Sequence, residues 1–266
     1  MKKAMNSALL VSLSMVAGLA MAQSATDDIA KYREMIADGN PAELYEAAGE
    51  DIWAKPMGPK NVSLQKCDLG LGPGVVKGAS AQLPRYFKDT NKVQDLESRI
   101  ITCMERLQGY DAKEIINAGF EKGKRKDVEA VVAYIVTASK GMKINVPVKH
   151  PKEKEMYAMG EKAFFFQGGP MDFSCASCHA EDGKRIRLQD LPNITEQKGA
   201  ALGFGYWPAY RVSSGNFWTM QRRLNDCYRQ QRFPEPIYTS DVTIALSVYM
   251  GAKAKDGVIN TPGLKR

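Results

Sequence analysis

Apolar residues recur every three to four positions in a succession of segments, the spacing of one face of an α-helix. The runs Val93-Leu96-Ile100-Cys103-Leu107, Val128-Val131-Val132-Ile135-Val136, Tyr157-Lys162-Phe165-Phe166, Phe217-Met220-Leu224-Cys227 and Val242-Ala245-Leu246-Tyr249 each predict a helix. Thr26 caps another through Ala37, with Asp27 and Asp28 in its first turn and Gly39 past its end. Asn40-Pro41 starts one that reaches about Trp53. Pro56 to Asn61 and the Gly-rich stretch Leu71 to Ser80 read as loops. Strand-like alternation is scarce, so the fold class is mostly α with long loops.

The N-terminal run from Ala8 to Ala20 is different, being continuously apolar. It is shorter than the roughly 20 residues a spanning helix needs, so no membrane span is expected. Met1-Lys2-Lys3 precedes it and Ala20-Met21-Ala22 follows, the n-region, h-region and small-x-small cleavage site of a signal peptide. Residues 1–22 are therefore expected to be removed, leaving a chain from about Gln23 in the periplasm.

A repeat organises the rest. Leu83-Pro84-Arg85-Tyr86 precedes Cys103 by the intervals at which Trp207-Pro208-Ala209-Tyr210 precedes Cys227, with 19 residues from proline to cysteine in each case. An arginine stands four positions before each cysteine, Arg99 and Arg223, and an apolar helix with a late tyrosine follows, carrying Tyr134 or Tyr249. Two related domains in tandem are expected, 23–147 and 148–266, meeting near Asn145 to Pro151, where two prolines interrupt helix.

Composition adds bounds rather than identity. With 266 residues, 44% of them hydrophobic and 25% charged, the chain is globular. Its net charge of +7 falls to +5 once Lys2 and Lys3 leave with the signal. That excess suits an anionic substrate or an acidic partner surface. Nucleic acid is not indicated, because the one basic run, Lys122-Gly123-Lys124-Arg125-Lys126, reads as a solvated loop.

Five cysteines carry the chemistry. Cys175-Ala176-Ser177-Cys178-His179 is the C-x-x-C-H signature of c-type haem attachment. Two thiols three positions apart reach the two vinyl groups of one porphyrin, and the adjoining histidine is placed to ligate iron. A zinc site would need two further ligands that the sequence does not supply nearby. The first repeat offers only Cys67-Asp68-Leu69-Gly70 at the corresponding place and cannot hold such a haem. Cys67 and Cys103 are then either two free thiols or a disulfide across the position a porphyrin would occupy, the latter being the expected state of an exported protein.

The second axial ligand stays open between Met220 and Cys227. The only other histidine, His150, lies beside Pro151 in the expected linker. Met220 and Cys227 share one helix face. A methionine would make an ordinary electron carrier of high potential, whereas a thiolate would lower the potential. Cys227 is favoured as the odd cysteine, with Arg223 one turn away to stabilise a thiolate and to hold an oxyanion. On this reading the sulfur is a nucleophile in low-pKa surroundings. Arg222 and Arg229 read as solvated charges, and Phe164-Phe165-Phe166, Phe173, Trp207, Phe217 and Trp218 as haem wall and core.

With Cys175-Ala-Ser-Cys178-His179 in the second half and Arg223-Leu-Asn-Asp-Cys227 behind it, the chain resembles the SoxA family, the catalytic cytochrome subunits of SoxAX complexes in bacterial thiosulfate oxidation. The likeness spans the whole mature chain and, lacking C-x-x-C-H near Cys67, falls in the single-haem branch. It implies one haem c anchored on Cys175 and Cys178, with His179 as proximal ligand and Cys67 and Cys103 in the disulfide position. It implies that Cys227 is both distal ligand and active-site sulfur, found as a persulfide, and that Arg223 binds substrate. The implied reaction joins thiosulfate oxidatively to a cysteine of the carrier SoxYZ, with electrons leaving through the cytochrome subunit SoxX, the partner in a heterodimer.

Overall fold

Pro41 opens the first described helix, α1 (Ala42–Ala54), its ring fixing the backbone angle that a helical first turn requires. The computed structural model describes residues 39–186 and 189–265; the expected signal peptide and the helix Thr26 to Ala37 lie outside the described residues. Loops then lead to an antiparallel hairpin, β1 (Arg85–Phe87) and β2 (Lys92–Gln94), in the register Arg85 opposite Gln94. Helix α2 (Leu96–Cys103) follows, capped by the Asp95 carboxylate accepting the Ser98 N–H at 2.9 Å. It runs on as a π turn through Gln108 and stops at Gly109, whose left-handed φ of 80° suits a residue without Cβ. Helices α3 (Ala112–Asn117) and α4 (Gly123–Thr137) complete this part.

The second part repeats the order with additions. Helix α5 (Pro151–Phe165) is capped by His150, and Glu153 returns a carboxylate oxygen to the His150 N–H at 2.9 Å. The short helix α6 (Cys175–His179) precedes a two-residue hairpin, β3 (Arg185–Ile186) and β4 (Gln189–Asp190), and helix α7 (Gln197–Gly205). Strands β5 (Ala209–Arg211) and β6 (Asn216–Trp218) form the second hairpin before helices α8 (Met220–Gln230) and α9 (Asp241–Lys253). Strand β7 (Gly263–Lys265) joins parallel to β5, giving the order β6-β5-β7.

The correspondence extends to packing. Helix α1 crosses α4 at Gly49, where a Cβ would overlap the Ala130 carbonyl; α5 crosses α9 at Gly160, where it would overlap the Ala245 carbonyl. Only glycine lets the two backbones approach so closely. The Leu83–Pro84 and Trp207–Pro208 peptides are both cis, and each leads into a hairpin and then a capped helix.

Two large apolar clusters fill most of the interior of the described residues, beside a small one of Val93, Ile244 and Val248. One gathers Trp53, Leu64, Ile100, Met104, Val131 and Ile135; the other gathers Phe164, Ile194, Phe204, Leu224, Leu246 and Tyr249. They interlock, since Phe217 and Tyr238 belong to the first and Ala81 to the second, and Pro41–Arg266 is one compact unit. Between them lies a buried polar knot. The Glu97 carboxylate accepts the Tyr238 hydroxyl at 2.6 Å and the Gln221 N–H at 3.1 Å, while the Gln221 amide donates to Asp95 at 2.6 Å. Burial, then the nearby Asp95 charge, push Glu97 up to about 8.

Three expectations are corrected. Val93 and Phe217, placed at the starts of helical runs, belong to strands β2 and β6, because each run joins a hairpin to the helix after it. The basic run is the first turn of α4, not a solvated loop. Arg125 is buried there, donating to the Ile115 and Ile116 carbonyls and lying 3.9 Å from the Tyr238 ring centre. Arg222 is not a solvated charge either: its side chain is 15% exposed, paired with Glu121 and seated over Trp218.

Candidate haem and sulfur site

Ser174 starts the site. Its hydroxyl accepts the Ser177 N–H at 3.1 Å, and Ser177 Oγ in turn accepts the Ser174 N–H at 3.0 Å. This reciprocal cap folds Cys175–His179 into a short helix, presenting both thiols and the imidazole to one cleft. The cleft encloses about 1170 Å³ including its open mouth. Helix α8 forms the facing wall, its residues Met220, Arg223, Leu224 and Cys227 all lining the cleft at helical spacing. Both axial candidates thus reach the same space, Met220 at the first turn of α8 and Cys227 two turns on.

The residues fit a c-type haem. His179 Nδ1 donates to the Pro192 carbonyl at 2.9 Å, which orients the ring and leaves Nε2 as the nitrogen available to a metal. Burial lowers the histidine pKa, holding it in the neutral form that binds metal. Phe164, Ile194, Leu246 and Met250 supply apolar wall, as a porphyrin face requires. The three cysteines outside the disulfide, Cys175, Cys178 and Cys227, all belong to this cleft. A second cavity of about 520 Å³, lined by Asp95, Glu97, Met220 and Ser247 among others, has no thiol or imidazole and offers no such anchor.

Electrostatics departs from the low-pKa surroundings expected for Cys227. Burial raises its pKa, and the Asp226 carboxylate adds to this; Arg223 and Arg211 act in the opposite sense without reversing it. Burial, then the neighbouring Cys227 thiol, push Cys175 up to about 12. Chain groups alone therefore keep these thiols protonated, and a bound cation or thioether bonding is what changes their state. Arg223 reaches Asp226 at 3.1 Å and lies over the Trp207 ring at 5.5 Å. Asp226 is shared with Arg229 and the Gln230 amide.

Cys67 and Cys103 form a disulfide, with Cα atoms 5.6 Å apart and both residues buried in the first cluster. His150 is far from any ligand role: its ring stacks on Tyr86 with centroids 3.7 Å apart while it caps α5. The aromatic group divides. Phe164 and Trp207 line the cleft and Phe217 is core, stacked on Tyr45, whereas Phe165, Phe166 and Phe173 are exposed and Trp218 contacts Arg211 and Arg222. Sequence reasoning also missed Pro192, Arg211 and Lys265 at the cleft. The repeat pointed toward Arg211, which directly follows Trp207-Pro208-Ala209-Tyr210; nothing local marks the other two.

Comparison with known proteins places the chain among relatives. The family described as SoxA/TsdA, cytochrome c domain, matches residues 48–144. The chain is 59% identical, over its full length and all of the relative, to the L-cysteine S-thiosulfotransferase subunit SoxA of Hydrogenophilus thermoluteolus. A protein of the same name from Hydrogenobacter thermophilus is 38% identical across 93% of this chain and 92% of its own. Among solved structures, that of SoxXA from P. pantotrophus superposes with a TM-score of 0.73 at 22% identity, covering 89% of this chain and 84% of that one, a likeness of fold.

Proposed function

The chain belongs to the SoxA family, and on that premise we propose that it is an L-cysteine S-thiosulfotransferase subunit carrying one haem c. The observation that carries this reading is the cleft itself, in which Cys227 on α8 faces Cys175, Cys178 and His179 with Arg223 one turn away. Cys175 and Cys178 would hold the haem by thioether bonds, and His179 Nε2 and the Cys227 sulfur are the groups that would ligate its iron. When bound, the haem supplies a redox centre and a Lewis-acidic iron. The first half, closed by Cys67–Cys103, keeps a cytochrome c-like arrangement without a haem of its own. The protein works in the periplasm after loss of residues 1–22, in a heterodimer with a SoxX-type cytochrome.

The reaction is the oxidative joining of thiosulfate to a carrier thiol, as on SoxYZ. A thiol and the thiosulfate dianion form one S–S bond, releasing one proton and two electrons to the partner cytochrome. Arg223 holds the sulfonate end by charge and forked hydrogen bonding, leaving the sulfane sulfur directed at Cys227. Thiosulfate joins Cys227 first, with that loss of one proton and two electrons, and the carrier thiol then attacks the sulfane sulfur, forming the carrier S–S bond, breaking the bond to Cys227 and releasing the Cys227 thiol.

The test uses the haem-loaded heterodimer with thiosulfate and the carrier. Cys227→Ala is expected to keep covalent haem yet lose thiosulfate-dependent electron release; full turnover by this variant removes Cys227 from the mechanism. The electron-carrier alternative has one observation in its favour, that Met220 lines the same cleft. It expects Met220→Leu to change the haem potential greatly, whereas thiolate ligation by Cys227 expects little change.

A further inference from the structure

Every described residue that lines the haem cleft belongs to the second half, so the first half reaches the site only indirectly, across the seam between them. That seam is built from matching positions of the repeat. Eight residues before Cys103 and Cys227 stand Asp95 and Thr219, the caps of α2 and α8, and six residues before them stand Glu97 and Gln221. These positions meet one another. Glu97 accepts the Gln221 backbone N–H at 3.1 Å, and Asp95 accepts the Gln221 side-chain amide at 2.6 Å.

The Gln221 N–H is one of the first-turn donors of α8 that the helix cannot satisfy itself, and Thr219 accepts another, from Arg222, at 3.3 Å. The first turn is thus held by an acceptor from each half. Arg222 adds a further tie by pairing with Glu121 of the first half, so Asp95, Glu97 and Glu121 bring three carboxyl groups to the positive end of the α8 dipole. Glu97 is 3% exposed and Gln221 2%, so bulk water does not compete for their bond. The other Glu97 oxygen is fixed by the Tyr238 hydroxyl at 2.6 Å. Packing restrains this turn less, because Asp95, Glu97 and Met220 border the second cavity rather than close-packed side chains.

We propose that Glu97, with Asp95 acting through Gln221, is a positioning element of the sulfur site, by which the haem-less half fixes where α8 starts and so where Arg223 and Cys227 stand in the cleft. This rests on the proposed function and gives the first half a part in it. Arg223 lies two residues and Cys227 six residues beyond Gln221 on one continuous helix, so the sulfur is about 9 Å along the axis from the anchored turn. A shift at the start of the helix is carried to both. Misplacing a reacting group by about 1 Å can cost as much as 100-fold in rate. Burial, then the Asp95 charge, push Glu97 up to about 8, so near neutral pH it is chiefly the neutral acid and glutamine is its isostere.

Glu97→Ala, Glu97→Gln and Gln221→Met, each prepared in the haem-loaded heterodimer, are compared with the unaltered protein at neutral pH and at one temperature well below every melting point. The readouts are kcat/KM with thiosulfate and the low-temperature EPR spectrum of the haem iron. Glu97→Ala is expected to keep covalent haem, to lower kcat/KM about tenfold and to shift or broaden the EPR lines as Cys227 moves. Glu97→Gln recovers most of that loss, because it keeps an acceptor for the Gln221 N–H. Gln221→Met fills the same space without the amide, and a smaller fall of about threefold is expected. It tests the idea even where Glu97→Ala fails to fold. A lowered melting temperature with unchanged kcat/KM and EPR spectrum, in folded Glu97→Ala or otherwise in Gln221→Met, makes the seam a matter of stability alone and overturns the proposal. So does a loss in Glu97→Gln as large as that in Glu97→Ala. Failure of the unaltered heterodimer to turn over thiosulfate is a separate result that refutes the proposed function itself, while the EPR comparison still judges the seam.

Discussion

Replacing both disulfide cysteines, as Cys67→Ala with Cys103→Ala, tests whether the first half depends on that bond for its stability. The two residues are 36 apart in sequence, and both are buried among Leu64, Ile100 and Met104. Closing a loop of that length removes chain entropy from the unfolded state equivalent to roughly 4 kcal/mol at 25 °C. For a unit of this size each kcal/mol moves the melting temperature by about 2–4 °C, so a fall of roughly 8–16 °C is expected. The cysteines do not line the haem cleft, so haem content by mass and the visible spectrum should match those of the unaltered protein. The assay is thermal unfolding followed by far-UV circular dichroism on the haem-loaded chain, with chemical denaturation as a check. A loss below about 1 kcal/mol would show that the bond closes a loop already ordered in the unfolded chain, contrary to the entropic argument. Recovery of both residues as alkylated thiols from native protein would remove its premise.

Gly160→Ala places a methyl against the Ala245 carbonyl and must push α5 from α9, so a loss of about 1–3 kcal/mol or more is expected; Gly49→Ala should do the same through Ala130. Denaturation midpoints within error of the unaltered protein would mean that the helices adjust freely. Glu97 contributes to pH dependence with a definite sign. Its folded-state pKa of about 8 lies above the ordinary 4.5, so the folded chain binds the proton more tightly, and its contribution is complete below about pH 4.5 and lost as pH rises through 8. Unfolding free energy should therefore fall with pH between those values, by up to about 1.4 kcal/mol per unit from this group, and Glu97→Gln should flatten the slope. An identical slope in that variant would assign the dependence elsewhere.

The sequence announced what local chemistry requires and missed what distant segments bring together. C-x-x-C-H was legible because a porphyrin's two vinyl groups and its iron demand those residues within five positions. Cys227 and Arg223 were legible because a helix places i and i+4 on one face and the repeat supplied a counterpart to compare. By contrast, Lys265 reaches the cleft through a parallel strand pair, and Pro192 fixes His179 through a backbone carbonyl that no side chain advertises. Arg125 and Arg222 were misread for a related reason. Their burial depends chiefly on Tyr238 for Arg125 and Glu121 for Arg222, residues far along the chain whose proximity no periodicity encodes. The raised thiol pKa of Cys227 has the same origin, because burial in the folded chain outweighs the adjacent arginine.

Arg99 and Arg223 show how one sequence position acquires two uses. Both stand four residues before a cysteine on a helix that follows a hairpin. Arg99 is consumed by the fold: its Nε donates to the Asp68 carbonyl at 2.6 Å, its Nη1 binds Asp89 at 2.9 Å, and its guanidinium covers the Phe87 ring at 4.0 Å. Its cysteine is tied to Cys67, so nothing reactive remains beside it. Arg223 has the aromatic support and one carboxylate, but that carboxylate is already shared, and its cysteine is unbonded and lines an open cleft. The difference lies in neighbours, not in the arginine-cysteine pair. A carboxylate from the preceding loop and a disulfide bond turn the first pair into structure, whereas among the described residues Arg223 has only the shared Asp226 carboxylate and Cys227 remains unbonded, as the proposed anion-holding role of Arg223 requires. An arginine four residues before a cysteine therefore marks a helix face in both halves, and it marks chemistry only where the cleft beside it stays open.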